Sequence, residues 1–186
     1  VGFDFGLKIF LNASDGRDIA SPLFFRQNAN AIKMANRNLS RKAKGSNNRK
    51  KAKLALARLH KKIANQRDNF HWQIANKLVG EYALICIEDL KLKAMQKRFG
   101  RKISDLGFAD FVNKLKYMAH ITGVSVVEID RFFPSSQLCS ECGYRNTETK
   151  NLKIRNWSCP KCGNTHNRDR NASINIEREG SRIFFA

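Results

Sequence analysis

The chain has 186 residues and a mass of 21.3 kDa, enough for one domain with a real core and a small appended module. Apolar residues at 42% against 27% charged exclude a disordered chain, and no run approaches the roughly 18 apolar residues of a membrane span. Thirty-five Lys and Arg against 16 Asp and Glu leave a net charge of +19; such an excess repels itself unless a polyanion offsets it, and it points to nucleic acid.

The chain opens inside a strand-like segment, Val1 to Phe5, without an initiator Met or a secretory signal, so sequence upstream is expected. Gly6 breaks that strand, Leu7 to Asn12 is a second, and Ser14-Asp15-Gly16 turns into a third at Arg17 to Ala20. Residues 24–43 read as helix, and Gly45-Ser46-Asn47-Asn48 ends it. Up to Gly80 there is then no Gly or Pro. Leu56, Leu59, Ile63, Phe70, Ile74 and Leu78 form one apolar stripe, which predicts a helix of about 30 residues paired with the preceding one as a hairpin. From Ile19 to Arg67 there are 14 Lys and Arg and no acid. A solvated face normally mixes signs, so Arg41, Lys42, Lys44, Arg49, Lys50 and Lys51 become candidate phosphate contacts.

Ala83 to Ile87 predicts a buried strand ending at Glu88-Asp89, and Lys91 to Lys102 a basic loop or short helix. Ser104 is placed to cap a helix carrying Phe108, Phe111, Leu115 and Met118; Val124 to Ile129 is a further strand, and Asp169 to Glu179 a closing helix. Phe70, Trp72 and Phe111 read as core. His60, His71 and His120 read as structural or solvated, and Cys86 as a small core residue.

Three strands, helices, strand, helix, strand, insert, helix is the order of an α/β ribonuclease H-like fold. There an antiparallel meander comes first and two strands add parallel to it through helical crossovers. In that topology Asp4 on the first strand meets Glu88 at the end of the fourth, and the last helix brings Asp169 beside them. Strand neighbours face opposite sides, so only one of Glu88 and Asp89 points inward. Three converging carboxylates repel each other unless hard cations neutralise them. Two Mg2+ or Mn2+ ions about 3.5–4 Å apart suit phosphodiester hydrolysis, one activating water and the other steadying the leaving 3′ oxygen. Taken singly, each acid also has a plain reading: a strand-end partner, a surface group, a helix N-terminal acid favoured by the dipole. Arg168 and Arg170 flank Asp169 as candidate phosphate contacts, and His166 lies near enough in sequence to reach a substrate.

Four of the five cysteines form two pairs, Cys139/Cys142 and Cys159/Cys162, with 16 residues between the pairs. That spacing predicts one structural Zn2+ held by four thiolates, with Gly143 and Gly163 making the tight turns and no open position for catalysis. Lys153 to Trp157 reads as one side of a β-ribbon with a basic edge. A disulfide framework does not fit a chain this long and basic, so a reduced, intracellular protein is expected.

The string Phe132 to Gly143 (FFPSSQLCSECG), together with Arg168-Asp169-Arg170-Asn171-Ala172 and Asn175-Ile176, resembles the TnpB or OrfB family of transposon-encoded proteins, relatives of type V CRISPR effectors. Gly2 to Leu7, Leu59 to Arg67 and Ile87 to Leu90 match it too, in the right order, so the resemblance covers residues 1 to about 178. It implies an RNA-guided, metal-dependent endodeoxyribonuclease with a RuvC-like catalytic domain. The catalytic trio would be Asp4, Glu88 and Asp169, and the zinc ligands Cys139, Cys142, Cys159 and Cys162. Its partners would be target DNA and a guide RNA from the transposon end, in a prokaryotic cytoplasm and near the nucleoid, with no membrane. The implied division is a split nuclease domain, 1–133 with 167–182, around a zinc ribbon at 134–166. Domains gripping guide RNA would lie before residue 1. In one departure, Asn167 stands where the family usually has Asp. The rival expectation is a module that binds nucleic acid without cutting; the intact carboxylate trio favours the enzyme, since a pure binder has no need of it.

Overall fold

A computed structural model describes residues 1–90 and 100–186. Five strands make one sheet: β1 (Gly2–Phe5), β2 (Ile9–Ala13), β3 (Ile19–Ala20), β4 (Leu84–Glu88) and β5 (Ser125–Ile129), in the order β3-β2-β1-β4-β5. The first three form the expected antiparallel meander, and β4 and β5 add parallel to β1. Helices α1 (Phe24–Gln27), α2 (Ala29–Ser40) and α3 (Asn47–Glu81) connect the meander to β4. α4 (Arg101–Leu106) and α5 (Phe108–Thr122) precede β5, and α6 (Arg168–Phe184) closes the chain. A separate ribbon pairs β6 (Asn156–Ser158) with β7 (Thr165–Asn167).

Period-two alternation decides what each face of the sheet meets. Phe3 and Phe5 of β1, with Ile85 and Ile87 of β4, point to α3 and α5, where they share one cluster with Ala75, Leu78, Phe108, Phe111 and Leu115. The intervening Cys86 points to the opposite face and packs on Ile176 of α6. Gly2, in phase with Asp4, also faces α6. A Cβ there would lie 2.2 Å from the Ser173 carbonyl oxygen and 2.5 Å from the Glu177 nitrogen. Only glycine permits that approach, and it seats the middle of α6 against the strands that carry Asp4 and Glu88.

α3 runs for 35 residues, longer than the stripe predicts, and is capped by Ser46, whose side chain accepts from the Arg49 amide. α2 packs back on it, as expected for a hairpin. Leu78 and Ile63 of the stripe are buried, while Leu56 and Leu59, toward the far end, are only half covered. The first part of the basic segment, up to position 99, lies outside the described residues. Ser104 does not cap the following helix. It sits inside α4, and Gly107, at a φ of 63°, ends α4 and begins α5. His71 is a structural residue: fully buried, its Nδ1 is 3.0 Å from Asp110 Oδ2 and its Nε2 2.9 Å from the Leu106 carbonyl, tying α3 to α4 and α5. Phe111 is fully buried and Phe70 half-buried in the core, but Trp72 keeps 37% of its surface exposed, against the Tyr117 ring and under Lys114.

Candidate active site and metal centre

Because Phe3 pairs with Ile87 across the parallel strands, the next step of each strand carries Asp4 and Glu88, both in phase with the α6 face. Asp169 enters from the first turn of α6. The three acids line one cleft of about 500 Å³ with Lys8, Asn12, Ser135, Arg155 and Arg168. Burial pushes the Asp4 carboxyl well above its usual range, and the charges of Glu88 and Asp169 push it further, against the pull of Arg168 and Arg155. Burial also raises Glu88, opposed by a short hydrogen bond from Ser135 Oγ and by Arg168. Asp89, on the other side of its strand, pairs with Arg131, so one acid of the two faces inward.

The trio is held by side chains to which the sequence reading gave no supporting role. Asn12 stands opposite Asp4 in register and donates from Nδ2 to the Asp4 carbonyl at 3.4 Å. Ser135 bonds Glu88, and its own carbonyl accepts from Asn175 Nδ2 at 2.7 Å. Asn175 and Asn171, four apart on one face of α6, both donate to the Leu138 carbonyl, and the Ser140 amide donates to Asn171 Oδ1. Two asparagines at helical spacing, in phase with buried Ala172 and Ile176, were the available signal. Asp169 is engaged by Arg155, whose Nη1 lies 2.9 Å from Oδ1 and 3.0 Å from Oδ2. Asn167 caps α6: its Oδ1 accepts from the Asp169 and Arg170 amides, each at 3.1 Å.

The second site is built locally. In each knuckle the glycine amide donates back to the first cysteine's carbonyl, Gly143 to Cys139 at 2.9 Å and Gly163 to Cys159 at 2.8 Å, with positive φ at both glycines. The sulfurs of Cys139, Cys142, Cys159 and Cys162 all lie within 4.8 Å of one another, with two pairs at 3.6 Å. A tetrahedral zinc with Zn–S near 2.3 Å needs sulfurs about 3.8 Å apart, so the donor set fits one such ion. Burial opposes ionisation of Cys159, but the amides of Cys162 and Lys161 bring it down to about 7. The Asn164 amide favours the Cys162 thiolate, yet desolvation and the neighbouring thiols push it up to about 12. Four thiolates this close need a cation. His166 does not face the cleft. Its Nε2 is 3.1 Å from Cys139 Sγ and its ring packs 4.9 Å from that of Trp157, among the buried residues of this centre.

The predicted phosphate contacts separate into two groups. Arg41, Lys44, Lys50 and Lys51 are exposed and Lys42 half-exposed on the hairpin. Arg49 instead donates from Nη1 to the Leu39 and Lys42 carbonyls, closing the end of α2. Arg170 donates to the Ala13 carbonyl at 2.6 Å and spreads over Gly16. Arg168 stays in the cleft, 3.3 Å from Ser136 Oγ and 4.0 Å from Asp169. Arg58, Lys61 and Lys62 line a shallow polar groove with Asn65, Gln66 and Asn69 along one stripe of α3.

A family model described as "Probable transposase", that of the OrfB proteins of IS605, matches residues 1–98, more than half of the chain, and one described as "Cas12f1-like, TNB domain" matches residues 108–176. Fold and motifs thus define a transposon-encoded protein of the OrfB class. The chain belongs to the TnpB family. A "Putative RNA-guided DNA endonuclease" of Streptomyces pristinaespiralis is 38% identical over 182 residues, covering 97% of this chain and 45% of the relative. One of Escherichia coli K12, InsQ, is 30% identical over 200 residues, covering 98% and 49%. The chain spans about half the length of these curated relatives. A solved complex of Cas12f1 with sgRNA and target DNA superposes with a TM-score of 0.66 at 21% identity, over 94% of this chain and 48% of that one; the likeness is one of fold. No helix among the described residues is long and apolar enough to cross a membrane.

Proposed function

We propose that this chain is the nuclease part of an RNA-guided DNA endonuclease, with a ribonuclease H-like, RuvC-type catalytic domain and a four-thiolate zinc ribbon. The observation that carries the reading is that Asp4, Glu88 and Asp169, from positions 84 and 81 residues apart in the chain, line one cleft from three elements. The domain division follows: 1–133 with 167–182 as nuclease and 134–166 as ribbon, the latter supported by a two-stranded sheet of its own. Hard oxygen donors, two of them raised above their usual range chiefly by burial, suit Mg2+ or Mn2+.

When bound, two such ions supply an activated water and stabilise the leaving oxygen of a phosphodiester. The protein's own part is positional. β1 and β4 set Asp4 and Glu88 side by side, Ser135 fixes the Glu88 rotamer, and Asn167 fixes the first turn of α6 and with it Asp169. Arg168 and Lys8 in the same cleft offer charge to the phosphate backbone, and the exposed cations of the hairpin extend that field. Target DNA and a guide RNA are the partners, in the cytoplasm near the nucleoid.

The test uses the complete gene product with its guide RNA and a matched DNA target in Mg2+ or Mn2+. Asp4→Ala, Glu88→Ala and Asp169→Ala should each abolish cutting while retaining DNA binding. Cutting by all three at the rate of the parent protein refutes the site, and binding without cutting by the parent itself favours a regulatory module.

A further inference from the structure

Arg155 belongs to the four-cysteine module, yet its side chain ends on the acidic cleft. Its place is fixed by the main chain: the Arg168 amide donates to the Arg155 carbonyl at 2.7 Å, and the next residue, Asn156, pairs with Asn167 across the ribbon. From there one guanidinium nitrogen sits astride both carboxylate oxygens of Asp169, at 2.9 and 3.0 Å. The other acids of the cleft have different partners. Glu88 bonds a neutral hydroxyl, and Asp4, the most desolvated of the three, is reached by Arg155 and Arg168 only through their fields. The Arg155 side chain is 57% exposed and that of Asp169 30%, so the pair lies at the cleft mouth, where the guanidinium swings into water without leaving a buried charge behind.

We propose that Arg155 is an internal rival of the divalent cation for Asp169: the ribbon lends the site a positive charge, which must be displaced before Asp169 can serve as a metal ligand. This rests on the reading of the carboxylate trio as a metal site. The physical argument has two parts. A hard cation needs a carboxylate oxygen lone pair directly, and both oxygens are already turned toward a donor. A cation arriving with the guanidinium in place also meets a like charge within a few ångströms. By linkage, the exchange runs both ways: cation binding detaches Arg155 from α6, so the ribbon's side-chain ion pair to the first turn of that helix opens when the site loads.

The experiment is a Mn2+ titration of the zinc-loaded protein, followed by the electron paramagnetic resonance signal of free Mn2+, so that no cleavage is needed. Exposed ion pairs are modest, so Arg155→Ala should bind Mn2+ about two- to fivefold more tightly than the parent. Lys153→Ala removes the same charge two residues away from an exposed position, and it should leave the affinity within about 1.5-fold. Asp169→Asn should weaken binding, and adding Arg155→Ala to it should change nothing further. An Arg155→Ala affinity equal to that of Lys153→Ala, or weaker than the parent's, overturns the rivalry while leaving the trio intact. Unchanged binding in Asp169→Asn overturns the metal reading of the trio itself, and the rivalry with it.

Discussion

The two candidate metal centres are assembled by opposite means. The thiolate centre is written into short local segments: each knuckle makes its own turn, and every donor lies within 4.8 Å of the others. The carboxylate centre draws one acid from each of β1, β4 and α6. Among the described residues its oxygens do not form so tight a group, and Arg155 and Ser135 engage two of the three acids. Soft donors in a closed shell suit a permanent structural ion, whereas hard donors with replaceable protein partners suit ions that arrive with substrate. Breaking the first should therefore cost fold, and breaking the second should cost function while sparing or even improving fold.

The largest effect is expected at the thiolates. Cys159→Ala should release the zinc and unfold the ribbon, a loss on the order of 10 kcal/mol of coupled binding energy by analogy with isolated zinc modules. Metal analysis should find about one zinc per parent chain and none in the variant. Trp157, only 7% exposed and packed against Cys139 and Cys159, reports the loss by a red-shifted emission in a Trp72→Phe background. A folded, zinc-free parent protein would remove the centre from consideration.

The second test strikes the framework that converges the acids. Gly2→Ala places a methyl group 2.2 Å from one backbone atom of α6 and 2.5 Å from another, neither of which is a flexible side-chain end. Overpacking of this kind costs about 1–3 kcal/mol, read as a lowered denaturant midpoint. Cutting should fall as well, because β1 and α6 carry two of the three acids. An unchanged midpoint would mean that the helix and sheet separate freely, and that the trio is not held by this contact.

How much of this was legible beforehand follows the same division. Cysteine spacing is a short-range signal, and the quartet was readable from it. The order of strands and helices, read with period-two alternation, was enough to bring Asp4, Glu88 and Asp169 to one place. What stayed hidden were contacts between residues far apart in sequence and unremarkable in type, such as Ser135 on Glu88 or Arg155 on Asp169. The charge of a basic residue is visible in a sequence but its direction is not. Arg49 and Arg170 looked like phosphate ligands, yet their donors go to carbonyls at the ends of α2 and β2. His166 likewise turned inward to Cys139 because its strand faces the thiolates.

A smaller effect, opposite in sign, is expected at Asp4. Its native carboxyl keeps its proton to higher pH than its ordinary value of 3.8, because of burial first and the neighbouring acids second. The native state therefore binds more protons than the unfolded state above that value. Its contribution to stability is full below pH 3.8 and declines as pH rises through the native value. Asp4→Asn cannot ionise and escapes this loss. In buffer freed of Mg2+ and Mn2+ but with zinc retained, it should be more stable than the parent at pH 7. The gap should close as the pH falls toward 3.8, and adding Mn2+ should raise the melting temperature of the parent alone. A variant less stable than the parent at neutral pH would show that the site carries no electrostatic strain.

The smallest effect distinguishes cap from ligand at Asn167, where the family resemblance leads one to expect Asp. The Asn167 side chain accepts from the Asp169 and Arg170 amides, so its oxygen serves the helix and not the cleft. Asn and Asp cap about equally well, and loss of the cap costs about 1 kcal/mol. Asn167→Ala should therefore lower stability by that amount, and Asn167→Asp should shift it by no more than a few tenths of a kcal/mol in thermal unfolding. If the cap is the whole role, Asn167→Asp also leaves Mn2+ affinity unchanged. A marked tightening would mean that the new carboxylate abandons the helix for the metal, making this position a fourth acid of the site.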